Sequence, residues 1–328
     1  MILQRAMPWW ACGAWLWLAV TRGGFVTIAQ GDAARSPRAP RTADVSANGR
    51  YVAFESWASL VPADDNQRLD VYVLDRITGR VTLESDALRG DCSHPRISAD
   101  GRYVVFEARQ LAPNGVESRV EIVLRDRVAE TTKTLTAVGN GGTADGFSRD
   151  PDISDDGQVV VFSSAATDLT GGPDANGKLE DVYAIQLSTG AVTRVSVSTS
   201  GTHVAKGASG LPSVSGDGRW VAFSSIAPLD APASHAAQES PTRQIYVRDL
   251  LSGTTVRVSR TARGQVPEGG DSMNPAISAD GRFIAFSSDA TNIVDNDGNR
   301  ATDVFLFDRE KQETTLVSRT TGGSVAAG

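Results

Sequence analysis

The chain is poor in the residues that most often carry chemistry. Among its 328 residues are two cysteines and three histidines, and only four of its 32 basic residues are lysines. Two cysteines exclude a disulfide-dense scaffold and a cysteine-rich zinc site. Three histidines leave little material for histidine-based metal catalysis. Acidic residues outnumber basic ones, 39 to 32, giving a net charge of −7 and an isoelectric point near 5.1. Such a chain has no general attraction for phosphate backbones, which argues against nucleic acid as a partner. Helical apolar periodicity is missing as well. What remains is an ordinary globular composition, 40% hydrophobic with 32 glycines, on a chain long enough for a large core.

Residues 1–29 read as an export signal. Arg5 gives a positive start, Pro8 to Val20 (PWWACGAWLWLAV) is an apolar run of h-region length, and Thr27-Ile28-Ala29 offers small residues before Gln30. Four of the six tryptophans lie in this stretch. Arg22 and Gly23 interrupt it before it reaches the roughly 20 apolar residues of a membrane-spanning helix. Removal of the segment would take Cys12 with it, leave Cys92 as a single thiol and bring the net charge to −9 through the loss of Arg5 and Arg22. The expected location is periplasmic or extracellular, with no stable membrane span after cleavage. Residues 30–40 then form a linker or closing segment and residues 41–328 the folded domain.

A repeat outranks every local signal in that domain. PRISADGRYVVF (95–106), PDISDDGQVVVF (151–162), PSVSGDGRWVAF (212–223) and PAISADGRFIAF (275–286) are one line written four times. ADVSANGRYVAF (43–54) is a fifth copy lacking the proline. Asp-Gly, or Asn48-Gly49 in the first copy, tolerates positive φ and predicts a two-residue turn between two strands. The strand after the turn is β-branched and aromatic enough to be buried on both faces. A second line, from DVYVLDRITGRVTLES (70–85) to DVFLFDREKQETTLVS (303–318), reads in each copy as strand, turn, strand. Four short strands recurring with a period of about 52 to 63 residues predict an all-β propeller of five blades, each of four antiparallel strands. The count becomes six when Gly23 to Gln30 is taken as a further strand, since Gly23-Gly24-Phe25-Val26-Thr27-Ile28 is similar to Gly253-Thr254-Thr255-Val256-Arg257-Val258.

The line P-x-[IV]-S-x-D-G-R-[YFW]-[VI]-[AV]-F, over about residues 41–319, resembles the WD-like β-propeller repeat family that includes the propeller domain of TolB. The resemblance implies an extracytoplasmic propeller that binds other molecules. The α/β domain that precedes the propeller in TolB has no counterpart here, so only the module carries over. A non-catalytic protein-binding or scaffolding role with a partner in the cell envelope or extracellular space is the reading that follows. The alternative is a carbohydrate-active enzyme or lectin, with a glycan at the mouth of the central channel.

Three connections between second and third strands hold candidate metal ligands. Asp64, Asn66 and Asp70 follow D-x-N-x-x-x-D, as do Asp297, Asn299 and Asp303, and Asp174, Asn176 and Asp181 follow it with one residue more. Clustered carboxylate and amide oxygens suit a hard cation such as Ca²⁺, although no bidentate glutamate completes an EF-hand loop. The competing reading is that Asp and Asn form Asx-turns and that the last Asp begins the third strand. No nucleophile elbow of the form G-x-S-x-G is present. His94, His203 and His235 lie in separate connections and read as isolated surface histidines; Cys92 beside His94 carries little weight as a nucleophile–base pair.

Overall fold

The structure is a computed structural model and describes residues 42–319 apart from 89, 112–116, 140, 203–205, 231–241, 296 and 298. The proposed signal and linker, His203 and His235 lie outside the described residues.

The described residues form five four-stranded antiparallel sheets, each in simple sequential order, and one two-stranded hairpin. Sheet 1 contains β1 (Ala43–Val45), β2 (Tyr51–Ser56), β3 (Asp70–Asp75) and β4 (Val81–Leu83). Sheet 2 contains β5 (Cys92–Ile97), β6 (Tyr103–Leu111), β7 (Glu117–Asp126) and β8 (Thr131–Thr134), and is followed by the small hairpin β9 (Ala137–Val138) and β10 (Gly142–Thr143). Sheet 3 runs through β11 (Ser148–Ile153), β12 (Val159–Ser164), β13 (Asp181–Gln186) and β14 (Ala191–Arg194). Sheet 4 has β15 (Ser209–Val214), β16 (Trp220–Ser225), β17 (Gln244–Asp249) and β18 (Thr255–Arg257). Sheet 5 has β19 (Ser272–Ile277), β20 (Phe283–Ser288), β21 (Asp303–Asp308) and β22 (Glu313–Leu316). Each predicted strand line thus becomes half a sheet, and the fold is an all-β propeller.

The turn between the first two strands is longer than the two residues predicted. Gly101 N–H donates to Ser98 C=O at 2.9 Å, and only the glycine, at φ +76°, takes the left-handed conformation. The serine and aspartate of the repeat set this geometry. Asp100 accepts from Ser98 Oγ (2.6 Å) and Arg102 N–H (2.9 Å), while Tyr103 N–H donates to Ser98 Oγ at 3.0 Å. The same three bonds recur around Asp156, Asp217 and Asp280. A side-chain oxygen replaces a ladder bond, so the loop widens without orphaning a backbone donor.

Sheets 1 to 4 each bury a face against the next sheet through one repeated interface. Ala53, Val71 and Val73 of sheet 1 pack on Val104 and Phe106 of sheet 2, and Val161 and Val182 of sheet 3 pack on Val221 and Phe223 of sheet 4. The turn glycine lies flat on the preceding sheet: a Cβ at Gly157 would stand 2.6 Å from Tyr103, and one at Gly218 would stand 2.6 Å from Val159. Gly101 on Tyr51 and Gly281 on Trp220 leave still less room. Backbone bonds join the turns in a relay: Ala47 N–H to Ala99 C=O, Ala99 N–H to Asp155 C=O, Asp156 N–H to Gly216 C=O and Gly216 N–H to Ala279 C=O. Among the described residues the relay ends there. Among the described residues no sheet covers the forward face of sheet 5, where Val304 is 41% exposed and its register equivalents Val71, Ile122, Val182 and Ile245 are at 0%.

Candidate functional site

The three predicted loops stand where the sequence places them, between second and third strands, with Asp70, Asp181 and Asp303 opening β3, β13 and β21. The last aspartate has a structural duty in each. A serine 15 residues on, Ser85, Ser196 or Ser318, donates to its Oδ1 at 2.5, 2.7 or 2.5 Å. The same hydroxyl accepts the N–H of Val71, Val182 or Val304 at 3.0–3.1 Å. The Asx-turn reading also holds: Asn66 Oδ1 accepts Arg68 N–H at 2.7 Å and Asn299 Oδ1 accepts Ala301 N–H at 2.9 Å.

These bonds leave the second oxygen of the last aspartate. In sheet 3 it faces Arg194, which rises from β14 in register with Tyr183 and stands 3.4 Å from Asp181 and 3.3 Å from Asp174. In sheet 4 Gln244 replaces the aspartate, and the register-equivalent Arg257 pairs with Asp230 at 2.6 Å. Sheets 1 and 5 carry Leu83 and Leu316 at this register position. There Asp70 Oδ2, Asp297 Oδ1 and Asp303 Oδ2 are buried without a hydrogen-bond partner, on residues exposed by 0%, 8% and 2%. Burial raises the pKa of Asp70 and of Asp297, with Asp64 and Asp303 respectively adding like charge. Tyr72 hydroxyl donates to Asp64 in sheet 1, whereas sheet 5 has Phe305 at that place. Among the described residues no three His, Cys, Asp or Glu side chains converge as a ready metal cluster, so each loop supplies two carboxylates and needs amide or backbone oxygens to complete a coordination shell.

A second polar group runs between neighbouring sheets and was not singled out from sequence. Glu55 Oε2 accepts His94 N–H (3.0 Å), Glu107 Oε1 accepts Asp150 N–H (3.0 Å), and Ser163 Oγ accepts Leu211 N–H (3.2 Å). The three donors sit at positive φ, 52–55°, within bulges of the first strands. His94 is therefore not an isolated surface histidine: its Nδ1 lies 3.4 Å from Glu107 Oε2, and that hydrogen bond raises its pKa. Burial first, then Glu107 and Glu180, push the Asp150 carboxyl upward. Chemically the row is acidic enough to receive hydroxyls or cations, but Glu55 and Glu107 already serve the next sheet's backbone. Cys92 is buried, and burial carries its thiol far above the ordinary range, which removes it as a nucleophile. The signal for the row was one strand position held by Glu in sheets 1 and 2 and by Ser in sheets 3 to 5; it becomes meaningful only once that position is known to face the next sheet.

No family model matches the chain, and neither does any curated protein. Solved structures do. TolB from Agrobacterium tumefaciens aligns at 18% identity and a TM-score of 0.50, over 86% of this chain and 81% of that one. An oligogalacturonate lyase in complex with manganese aligns at 14% identity and a TM-score of 0.52, over 83% of this chain and 63% of that one. TolB from Acinetobacter baumannii aligns at 17% identity and a TM-score of 0.48; the chain spans about half of its length, 54%. At these identities the likeness shows the fold: an all-β propeller of the kind found in TolB. No helix among the described residues is long and apolar enough to cross a membrane.

Proposed function

We propose that the chain is an extracytoplasmic, non-catalytic binding module that takes a protein partner on the forward face of sheet 5. The observation that supports this is a row across that sheet whose apolar members are exposed. Met273, Ser287, Val304 and Val317 are neighbours in register, and the three apolar members are 36%, 41% and 51% exposed. The counterparts of Val304 in sheets 1 to 4, Val71, Ile122, Val182 and Ile245, are sealed by the following sheet, and that cover is the pattern proposed for the complement. It is a β-sheet face with small and apolar side chains, a glycine turn to lie on Phe283, and a backbone carbonyl to meet Ala279 N–H. Exposed apolar rows of this kind mark interaction surfaces. The extracytoplasmic setting rests on the signal-like residues 1–29.

The test places a photoreactive side chain at position 304 of the full chain, in the envelope of the producing cells, with position 182 as the buried control. A stoichiometric adduct at 304, lost with Val317→Asp in the same exposed row and kept with Glu107→Gln, is the expected result. Loss of ligand with Glu107→Gln but not with Val317→Asp would transfer the function to the acidic row and to a glycan, and absence of any adduct at 304 would sink the reading.

A further inference from the structure

Sheets 1, 3 and 5 share one electrostatic problem, two acids held out of water by the second-to-third connection, and meet it in two different ways. In sheet 3 an arginine from the fourth strand supplies the counter-charge to the acids held out of water, Arg194 to Asp174 and Asp181, while in sheet 4 the equivalent Arg257 pairs with the exposed Asp230. Where that strand position is Leu83 or Leu316, in sheets 1 and 5, the acids are still buried, and Asp64 and Asp70, and Asp297 and Asp303, stand close enough for like-charge repulsion. Charged carboxylates without a counter-ion do not persist in such places; they take a cation or a proton.

We propose that the connections of sheets 1 and 5 each bind one divalent cation of the calcium class, and that Arg194 of sheet 3 is its built-in substitute. The orphaned oxygens argue for the position. Asp70 Oδ2, Asp303 Oδ2 and Asp297 Oδ1 have no hydrogen-bond partner, although each aspartate is at least nine-tenths buried. The remaining carboxylate oxygen of Asp70 and of Asp303 is held by Ser85 and Ser318, which fixes the free one in place. Oxygen donors alone, two carboxylates and a nearby amide, select a hard cation over zinc or copper. The inference corrects the sequence pattern in one respect. Asp174, Asn176 and Asp181 match the motif, but Arg194 stands where the cation would be. Sheet 5 is the stronger of the two sites, because Tyr72 already donates to Asp64 in sheet 1 and Phe305 offers nothing comparable.

Calorimetric titration of the full chain with CaCl₂ after EDTA treatment should find two bound ions per chain. With both sites at about one hundred times the dissociation constant, the melting temperature should rise by roughly 8 °C. Leu316→Arg should reduce the count to one and remove part of the calcium-dependent rise while the protein stays folded in EDTA. Arg194→Leu should lower the melting temperature in EDTA and regain it in calcium, with a third ion bound. Because neither variant deletes a carboxylate, failure to fold does not mask the answer. A count of zero with Arg194→Leu unrescued by calcium would overturn the proposal, leaving a shared proton as the means of neutralisation. A third ion in the wild type would overturn the substitution of arginine for metal.

Discussion

Sheets 3 and 5 begin with almost the same sequence, PDISDDGQVVVF and PAISADGRFIAF, yet one is sealed on both faces and the other on one. The second strand of sheet 3, β12, is buried at every position, whereas β20 alternates between buried and half-buried. The difference shows what the repeat encodes. It is not a self-sufficient sheet but half of an interface, completed by the aromatic or aliphatic side chain behind the turn glycine and by the next turn's backbone. Each interior sheet supplies both halves; sheet 1 lacks a predecessor and sheet 5 a successor among the described residues.

The comparison is broken most forcefully at the turn glycines. Gly101 and Gly49 have similar φ, +76° and +68°, so both resist a side chain on backbone grounds. Gly101 also lies against the Tyr51 ring, whereas Gly49 has only the far end of Arg76 near, at 3.7 Å. Gly101→Ala should therefore cost more than about 3 kcal/mol and Gly49→Ala about 1 kcal/mol, read as shifts in the urea midpoint. Equal losses would show that the turn conformation, not the inter-sheet contact, is what the glycine serves.

A smaller contrast lies within the sheets. Val182 and Val304 hold the same register position and differ in cover alone. Val182→Ala should lose about 2 kcal/mol and Val304→Ala under about 0.5 kcal/mol in the same assay. A large loss at Val304 would mean that the forward face of sheet 5 is covered in solution.

The strands, their pairing order and the repeat boundaries were legible because alternation and turn residues are local properties. Asp70, Asp181 and Asp303 could be placed at the start of third strands for the same reason. Their neutralisation could not, because Arg194 and Leu316 are significant only through a register that pairs them with Tyr183 and Phe305. The arginine-rich composition also has a use that counting did not reveal. Arg50, Arg102, Arg219 and Arg282, the arginines of the repeated line, each bridge to an aspartate at the end of the third strand at 2.7 Å. Arg127 and Arg309 reach back from one sheet to lie over Tyr51 and Trp220 of the sheet before. Both facts depend on which residues meet across strands and sheets, and spacing along the chain does not contain them.

The subtlest test concerns the stitch from sheet 3 to sheet 4. Asp152 on β11 accepts the N–H of Val214 at 2.9 Å, and burial pushes its pKa up to about 6, only partly opposed by Arg96 at 4.0 Å. In the unfolded chain the same group titrates near 3.9. Folding then takes up a proton between pH 4 and about 6, so this aspartate makes stability fall as pH rises through that window and contributes no further slope above it. Asparagine keeps a carbonyl oxygen for Val214 but cannot ionise. The advantage of Asp152→Asn over the wild type should therefore grow from pH 4 to 6 and then level off. Ser213 makes the corresponding bond to Ile277 N–H, at 3.3 Å, from sheet 4 to sheet 5 without a charge, and Ser213→Ala should leave the pH profile unchanged. Coincident slopes for the wild type and Asp152→Asn would place the carboxylate in contact with water and make the stitch between sheets 3 and 4 no drier than the open edge of sheet 5.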